Sequence, residues 1–126
     1  MTLSESREDY LENLLILETR SGGFVRQVDM ASRMGFSKAS ISKAMSSLSA
    51  EGYVEFRPRG FVRLSNGGRK IAERVYDRHC FFFKVLTNLG IPTEIAQMDA
   101  CRMEHAMSEE SYQALKKELS SKMDVQ

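Results

Sequence analysis

Two cysteines in 126 residues are too few for a disulfide framework, so Cys80 and Cys101 read as thiols, core residues or metal ligands. No uninterrupted apolar run approaches the ~20 residues that a bilayer-spanning helix needs. The opening Met1-Thr2-Leu3-Ser4-Glu5 also lacks the basic-then-apolar pattern of a secretory signal. The expected compartment is therefore the cytoplasm, with no membrane partner. An excess of one sign of charge is missing too: 18 Lys and Arg against 17 Asp and Glu leave a net +1, which by itself points to no nucleic-acid partner. The sequence has no internal repeat or low-complexity tract. Its length fits one compact domain or two small lobes and excludes a large multi-site enzyme. A content of 42% hydrophobic and 28% charged residues is that of a folding chain rather than a disordered one.

The charges that are present are unevenly placed. Residues 1–25 carry two bases against five acids, whereas residues 26–70 carry nine bases against only Asp29, Glu51 and Glu55. Residues 71–126 return to seven bases and nine acids. A basic middle between acidic ends is the pattern expected if the middle faces phosphate.

Apolar spacing resolves the elements. Tyr10, Leu11, Leu14, Ile16 and Leu17 predict a helix from about Ser4 to Arg20, stopped by Ser21-Gly22-Gly23. A short helix over Gln27–Met34 breaks at Gly35, and Ser37 is a suitable N-cap for a third reaching Ala50. Tyr53–Phe56 and Phe61–Leu64 are short β-branched and aromatic runs around Arg57-Pro58-Arg59-Gly60, where the Pro and Gly placement suits a type I turn. Asn66-Gly67-Gly68 closes this unit. A long helix is expected from Arg69 to Leu89, with Ile71, Val75, His79, Phe82, Phe83 and Leu86 on one face. Gly90 ends it, and Pro92 opens a helix that turns Ile95, Met98, Cys101 and His105 to one side. Ser108 caps a last helix, with Met107 and Tyr112 as a hydrophobic staple and Leu115, Leu119 and Met123 continuing the stripe. Phe81-Phe82-Phe83 point about 100° apart on a helix, so part of that apolar surface is expected to meet a second subunit. The fold class is mainly α: a winged helix-turn-helix domain over residues 1–70, then a three-helix domain over 71–126.

Residues 27–46 fit the helix-turn-helix pattern. Met30, Ala31 and Met34 lie on the first helix, Gly35 turns the chain, and Phe36, Ile41 and Ala44 sit behind the second. Facing outward are Ser37, Lys38, Ala39, Ser40, Ser42 and Lys43, whose short side chains let a helix sink into the major groove. Arg57, Arg59 and Arg63 on the hairpin are the expected wing contacts to backbone or minor groove. For any single lysine a solvated surface is the plainer explanation. It competes here with three coincident features: the turn pattern, the adjoining basic hairpin and the local positive balance.

A second constellation concerns donor atoms. Asp9 and Glu12 stand three apart on the first helix, and Cys101, Glu104 and His105 are spaced i, i+3 and i+4, so that sulfur, oxygen and nitrogen share one face. His79 lies on the apolar stripe of the preceding helix. Taken singly, a solvated carboxylate pair, a core thiol and a satisfied core histidine are the plainer readings. Brought together, three carboxylates, a thiolate and two imidazoles would repel and desolvate one another without a cation between them.

The order of winged helix, linking helix with Val75-Tyr-Asp-Arg-His79, and Asp99-Ala-Cys-Arg-Met-Glu-His105 resembles the diphtheria-toxin-repressor and manganese-transport-regulator family over nearly the whole chain. Arg7-Glu-Asp-Tyr-Leu-Glu12 is similar to the manganese branch, in which the residues matching Asp9, Glu12 and His79 are ligands. Cys101, Glu104 and His105 are similar to the iron branch, since the manganese regulators carry Glu at the position of Cys101. Phe83 and Gln97 depart from the Glu and His of the iron branch's ancillary site. The expected form is the short two-domain one, without the SH3-like third domain of longer members. The resemblance implies a metal-dependent repressor of metal-uptake genes. One Mn²⁺ or Fe²⁺ ion, with Co²⁺ or Zn²⁺ as in vitro substitutes, would tie the first helix to the second domain and fix a homodimer on a palindromic double-stranded operator. Three other readings compete: a winged-helix regulator sensing redox state or a small molecule through Cys80 and Cys101, a metallo-hydrolase, and a winged helix that binds only protein. Against an enzyme, coordination uses up both histidines and the chain is short for a substrate pocket.

Overall fold

The computed structural model describes residues 3–123, in two units, Met1–Glu73 and Arg74–Gln126. In the first unit, helix α1 (Glu5–Ser21) starts on Ser4, whose hydroxyl accepts the Arg7 N–H, and ends at Gly22 in the left-handed conformation. Helix α2 (Gln27–Met34) stops at Gly35, whose φ of 71° a side-chain-bearing residue adopts only with strain. Helix α3 (Lys38–Ala50) begins on Ser37, whose hydroxyl accepts the Ser40 N–H.

Leu11, Leu14, Met30, Ile41, Met45 and Leu48 are fully buried, joined by Val25, Val54, Val62 and Leu64 from the sheet. Phe36, expected behind the second helix of the turn motif, is instead 47% exposed and edges onto Tyr10. Arg7 and Glu51 pair across the unit.

The sheet has one strand more than the sequence predicts. Strand β1 (Val25–Arg26) pairs antiparallel with β3 (Phe61–Leu64), which also pairs with β2 (Val54–Phe56), giving the order β1-β3-β2. At two residues, β1 is too short to carry an alternation. The hairpin tip also differs from the expected type I turn. Arg59 (φ 67°, ψ 25°) and Gly60 (φ 79°) are both left-handed, and the Phe61 N–H returns to the Pro58 carbonyl. Positive φ at both central residues marks a type I′ turn, whose twist matches that of paired strands.

Helix α4 (Asn66–Asn88) starts three residues earlier than expected and takes in Asn66-Gly67-Gly68. The first N–H groups of a helix need no partner within it, and the Ser65 hydroxyl accepts the Gly68 N–H at 3.1 Å. Gly68 has a packing reason as well: a Cβ there would lie 2.0 Å from the Tyr53 carbonyl oxygen. Gly68→Ala is therefore expected to destabilise the first unit by about 2 kcal/mol, read as a lower urea midpoint with unchanged slope.

In the second unit, α4 is followed by α5 (Thr93–Met103) and α6 (Glu109–Met123). Phe81, Phe82, Ala100 and Tyr112 form its core, with Phe83, Met107, Leu115, Leu119 and Met123 packed against them. Of the stripe expected on α4, Val75, His79 and Phe82 are buried, and Ile71, Phe83 and Leu86 are partly so. The buried face of α5 is Ala96 and Ala100, whereas Ile95 and Met98, expected inward, are 50% and 62% exposed. Small side chains on the buried face let the helix approach its neighbours closely. Among the described residues no helix is long and apolar enough to cross a membrane.

Candidate functional site

The basic face of the first unit follows from its caps and turns. Ser37, Lys38, Ala39, Ser40, Ser42 and Lys43 are all exposed on or next to α3. Ser37 and Ser40 have a local task as well, since the Ser37 hydroxyl caps the helix and bonds the Ser40 hydroxyl at 3.0 Å. Arg57 and Arg59 stand exposed at the hairpin tip. Among the described residues no ion pair engages Lys38, Lys43, Arg57 or Arg59. Arg63 differs: its Nε donates to Glu55, its cross-strand partner, at 2.8 Å. The wing is also tied to α1 and α4 through Glu18, a buried carboxylate that accepts the Leu64 N–H at 2.6 Å and pairs with Arg69.

The six predicted donors divide between the units. Asp9 and Glu12 lie on α1, half-buried and buried respectively, while His79, Cys101, Glu104 and His105 belong to the second unit. There His79, Cys101 and Glu104 converge: one donor atom from each lies within 4.8 Å of the other two. His79 Nδ1 is 2.8 Å from Glu104 Oε1 and 3.7 Å from Cys101 Sγ. His105 Nε2 is 3.8 Å from the other Glu104 oxygen. The Glu104 carboxylate is fully buried, and the side chains of His79 and His105 are 11% and 3% exposed. Nitrogen, thiol sulfur and carboxylate oxygen at these separations are a donor set that fits a divalent transition ion.

The helix itself accounts for only part of the expected i, i+3, i+4 group. Helix α5 ends at Met103, Glu104 is its C-cap, and His105 lies in the connection beyond. Glu104 keeps right-handed helical backbone angles and its N–H donates to the Ala100 carbonyl, so Cys101 and Glu104 still project to the same side. Glu104 points inward because Arg78 and His79 on α4 receive it. Arg78, only 6% exposed, donates to the Glu104 carbonyl at 3.2 Å, to the Met107 carbonyl at 2.7 Å and to Glu109 at 3.0 Å. Sequence reasoning missed Arg78. Its one available signal was its place beside His79.

A polar group also ties α4 to α6. Asp77 accepts from the Tyr112 hydroxyl at 2.7 Å and from Lys116 at 2.9 Å. Burial works to raise the Asp77 carboxyl, but the Lys116 and Tyr112 hydrogen bonds and the Lys116 charge outweigh it, so its pKa lies below the ordinary value. Stability from such a group is present above the usual carboxylate range and is lost as pH falls through the folded-state value. Burial first, then the Asp77 contact, push the Tyr112 phenol up. The Gln113 hydrogen bond, then that of Arg78, hold Glu109 low.

Both halves of the chain match known families. The model of the iron dependent repressor N-terminal DNA binding domain matches residues 2–62. That of the iron dependent repressor metal binding and dimerisation domain matches residues 65–122. The transcriptional regulator MntR of Escherichia coli O6:H1 is 38% identical over 109 residues, covering 86% of this chain and 70% of that protein. Among solved structures, IdeR from T. acidophilum superposes with a TM-score of 0.78 at 26% identity. The manganese regulator SloR superposes with a TM-score of 0.79 at 25% identity. Each alignment covers 95% of this chain and 55% of the other, so the chain spans about half the length of these two structures.

Proposed function

The chain belongs to the iron-dependent repressor family, and from that premise we propose that it is a metal-activated, DNA-binding regulator that represses metal-uptake genes as a homodimer. It works in the cytoplasm, on double-stranded palindromic operator DNA, and is not an enzyme. The observation that carries the reading is the convergence of His79, Cys101 and Glu104 within 4.8 Å of one another, in the half that matches a metal-binding and dimerisation domain.

A bound divalent ion would supply the positive charge that lets the buried carboxylate and imidazole share one locus with the exposed Cys101 sulfur. Glu104, His79 and Cys101 would provide oxygen, nitrogen and sulfur, and His105 Nε2 stands 3.8 Å from the second carboxylate oxygen. Asp9 and Glu12 enter the proposed ligand set on sequence grounds. Imidazole and carboxylate suit Mn²⁺ or Fe²⁺, and the Cys101 sulfur admits Co²⁺ and Zn²⁺ in vitro. In this reading Cys101 is a donor, not the partner of Cys80 in a redox pair. On DNA, α3 enters the major groove with Ser37, Lys38, Ala39, Ser40, Ser42 and Lys43 toward the bases and phosphates, and Arg57, Arg59 and Arg63 contact the flanking backbone.

The test is a selection of random duplexes run in parallel with Mn²⁺, Fe²⁺, Zn²⁺ and a chelator. Palindromes with half-sites about one helical turn, ~34 Å, apart are expected only in the metal arms. Equal enrichment with chelator overturns metal activation, and enrichment in no arm overturns DNA binding. On the selected site, Arg57→Ala and Arg59→Ala are each expected to lower the slope of log K against log salt by about 1 and to weaken all duplexes alike. An unchanged slope would remove the wing from the interface.

A further inference from the structure

Arg78 is a guanidinium shut almost wholly inside the second unit, at 6% exposure. A buried guanidinium persists only where acceptors meet its fork, and the placement of those acceptors is informative. Two are backbone carbonyls, Glu104 at 3.2 Å and Met107 at 2.7 Å, near the two ends of the connection between α5 and α6. The third is the carboxylate of Glu109, the first residue of α6, at 3.0 Å. The guanidinium carbon sits 4.9 Å over the Tyr112 ring. Carbonyls at a helix C-terminus have no partner within the helix, and a cation there also suits the helix dipole.

That connection carries two of the proposed donors, Glu104 and His105. Glu104 is gripped twice by adjacent residues of α4. Arg78 takes its backbone carbonyl, and His79 meets its carboxylate at 2.8 Å. A residue whose main chain and side chain are both held has little freedom left to lose when it takes up an ion.

We propose that Arg78 is a positioning residue for the metal centre: it clamps the α5–α6 connection onto α4, so that Glu104 and His105 are already set beside His79 before an ion arrives. The inference rests on the metal-centre reading above. The planar fork of Arg spans two carbonyls and a carboxylate. The point charge of Lys does not.

The test is titration of wild type, Arg78→Lys, Arg78→Met and Glu109→Ala with Co²⁺. The thiolate-to-cobalt and ligand-field absorption bands are read, and melting of each metal-free protein is followed by circular dichroism in chelator. Arg78→Lys and Arg78→Met are expected to lower Co²⁺ affinity by about 10- to 100-fold and to alter the ligand-field bands. Glu109→Ala, which removes one exposed arm of the clamp, should lower affinity by a few-fold. A purely structural role would lower the melting temperature yet leave bands and affinity unchanged well below it. A folded Arg78→Lys protein with wild-type affinity and spectrum overturns the proposal. If Arg78→Met does not fold, Arg78→Lys and Glu109→Ala decide. A wild-type protein that gives no cobalt bands overturns the metal-centre reading itself, an outcome distinct from equal binding by variant and wild type.

Discussion

Glu104→Gln is expected to leave the helix content and melting of the metal-free protein near wild type and to remove metal stimulation of operator binding, a loss of about 5- to 150-fold. The side chain is fully buried, with one oxygen on His79 Nδ1 and the other toward His105 Nε2. Glutamine keeps the shape and a hydrogen-bonding carbonyl, so packing is conserved. It removes the negative charge and half the oxygen donors, which an ion requires and the apo fold does not. Anisotropy of a labelled operator, titrated with protein in Mn²⁺ and in chelator, measures both states. Stimulation as large as wild type would show that Glu104 is not a ligand. Binding linkage adds a second check: operator DNA should tighten the protein's hold on the ion by the same factor that the ion tightens its hold on DNA.

The other large effect is on stability. Phe82 is 1% exposed, with ring centroids 5.4 Å from Phe81 and 5.8 Å from Tyr112. Phe82→Ala is expected to cost about 3–5 kcal/mol through lost burial and a cavity that the short core cannot close. A unit this small has little more than that in total, so its helices should melt at or below room temperature while the first unit keeps its own. Ala100 belongs to the same cluster and lies four residues before Glu104. Co²⁺ binding should therefore fail together with folding. Circular dichroism melting and a cobalt titration of the same sample check this. A drop below about 1 kcal/mol would mean that the three aromatic rings are not the support of this unit.

The sequence revealed elements wherever one residue punctuates the chain locally. Gly35 and Ser37 set the end of α2 and the start of α3 by backbone conformation and by a hydroxyl cap, both of which act within a few residues. The convergence of His79, Cys101 and Glu104 was legible as well, since imidazole, sulfur and carboxylate at such spacing have few other reasons to share one locus. Features decided by distant parts of the chain were hidden. Helix α5 stops before Glu104, whose carbonyl is held by Arg78, 26 residues away, and no periodicity reports that. Gly68 looked like a terminator, whereas the Tyr53 carbonyl occupies the space of its missing side chain. Strand β1 exists only because β3 offers it a free edge.

The left-handed Arg59 at the tip of the hairpin shows a conflict between two demands on one residue. An L-residue with a side chain gives up about 1–2 kcal/mol in that conformation, and glycine or asparagine would rest there more easily. A loop optimised for folding alone would read Asn-Gly at this apex. This chain keeps Arg-Gly, and so projects a permanent cation from the outermost point of the wing at the expense of local backbone comfort.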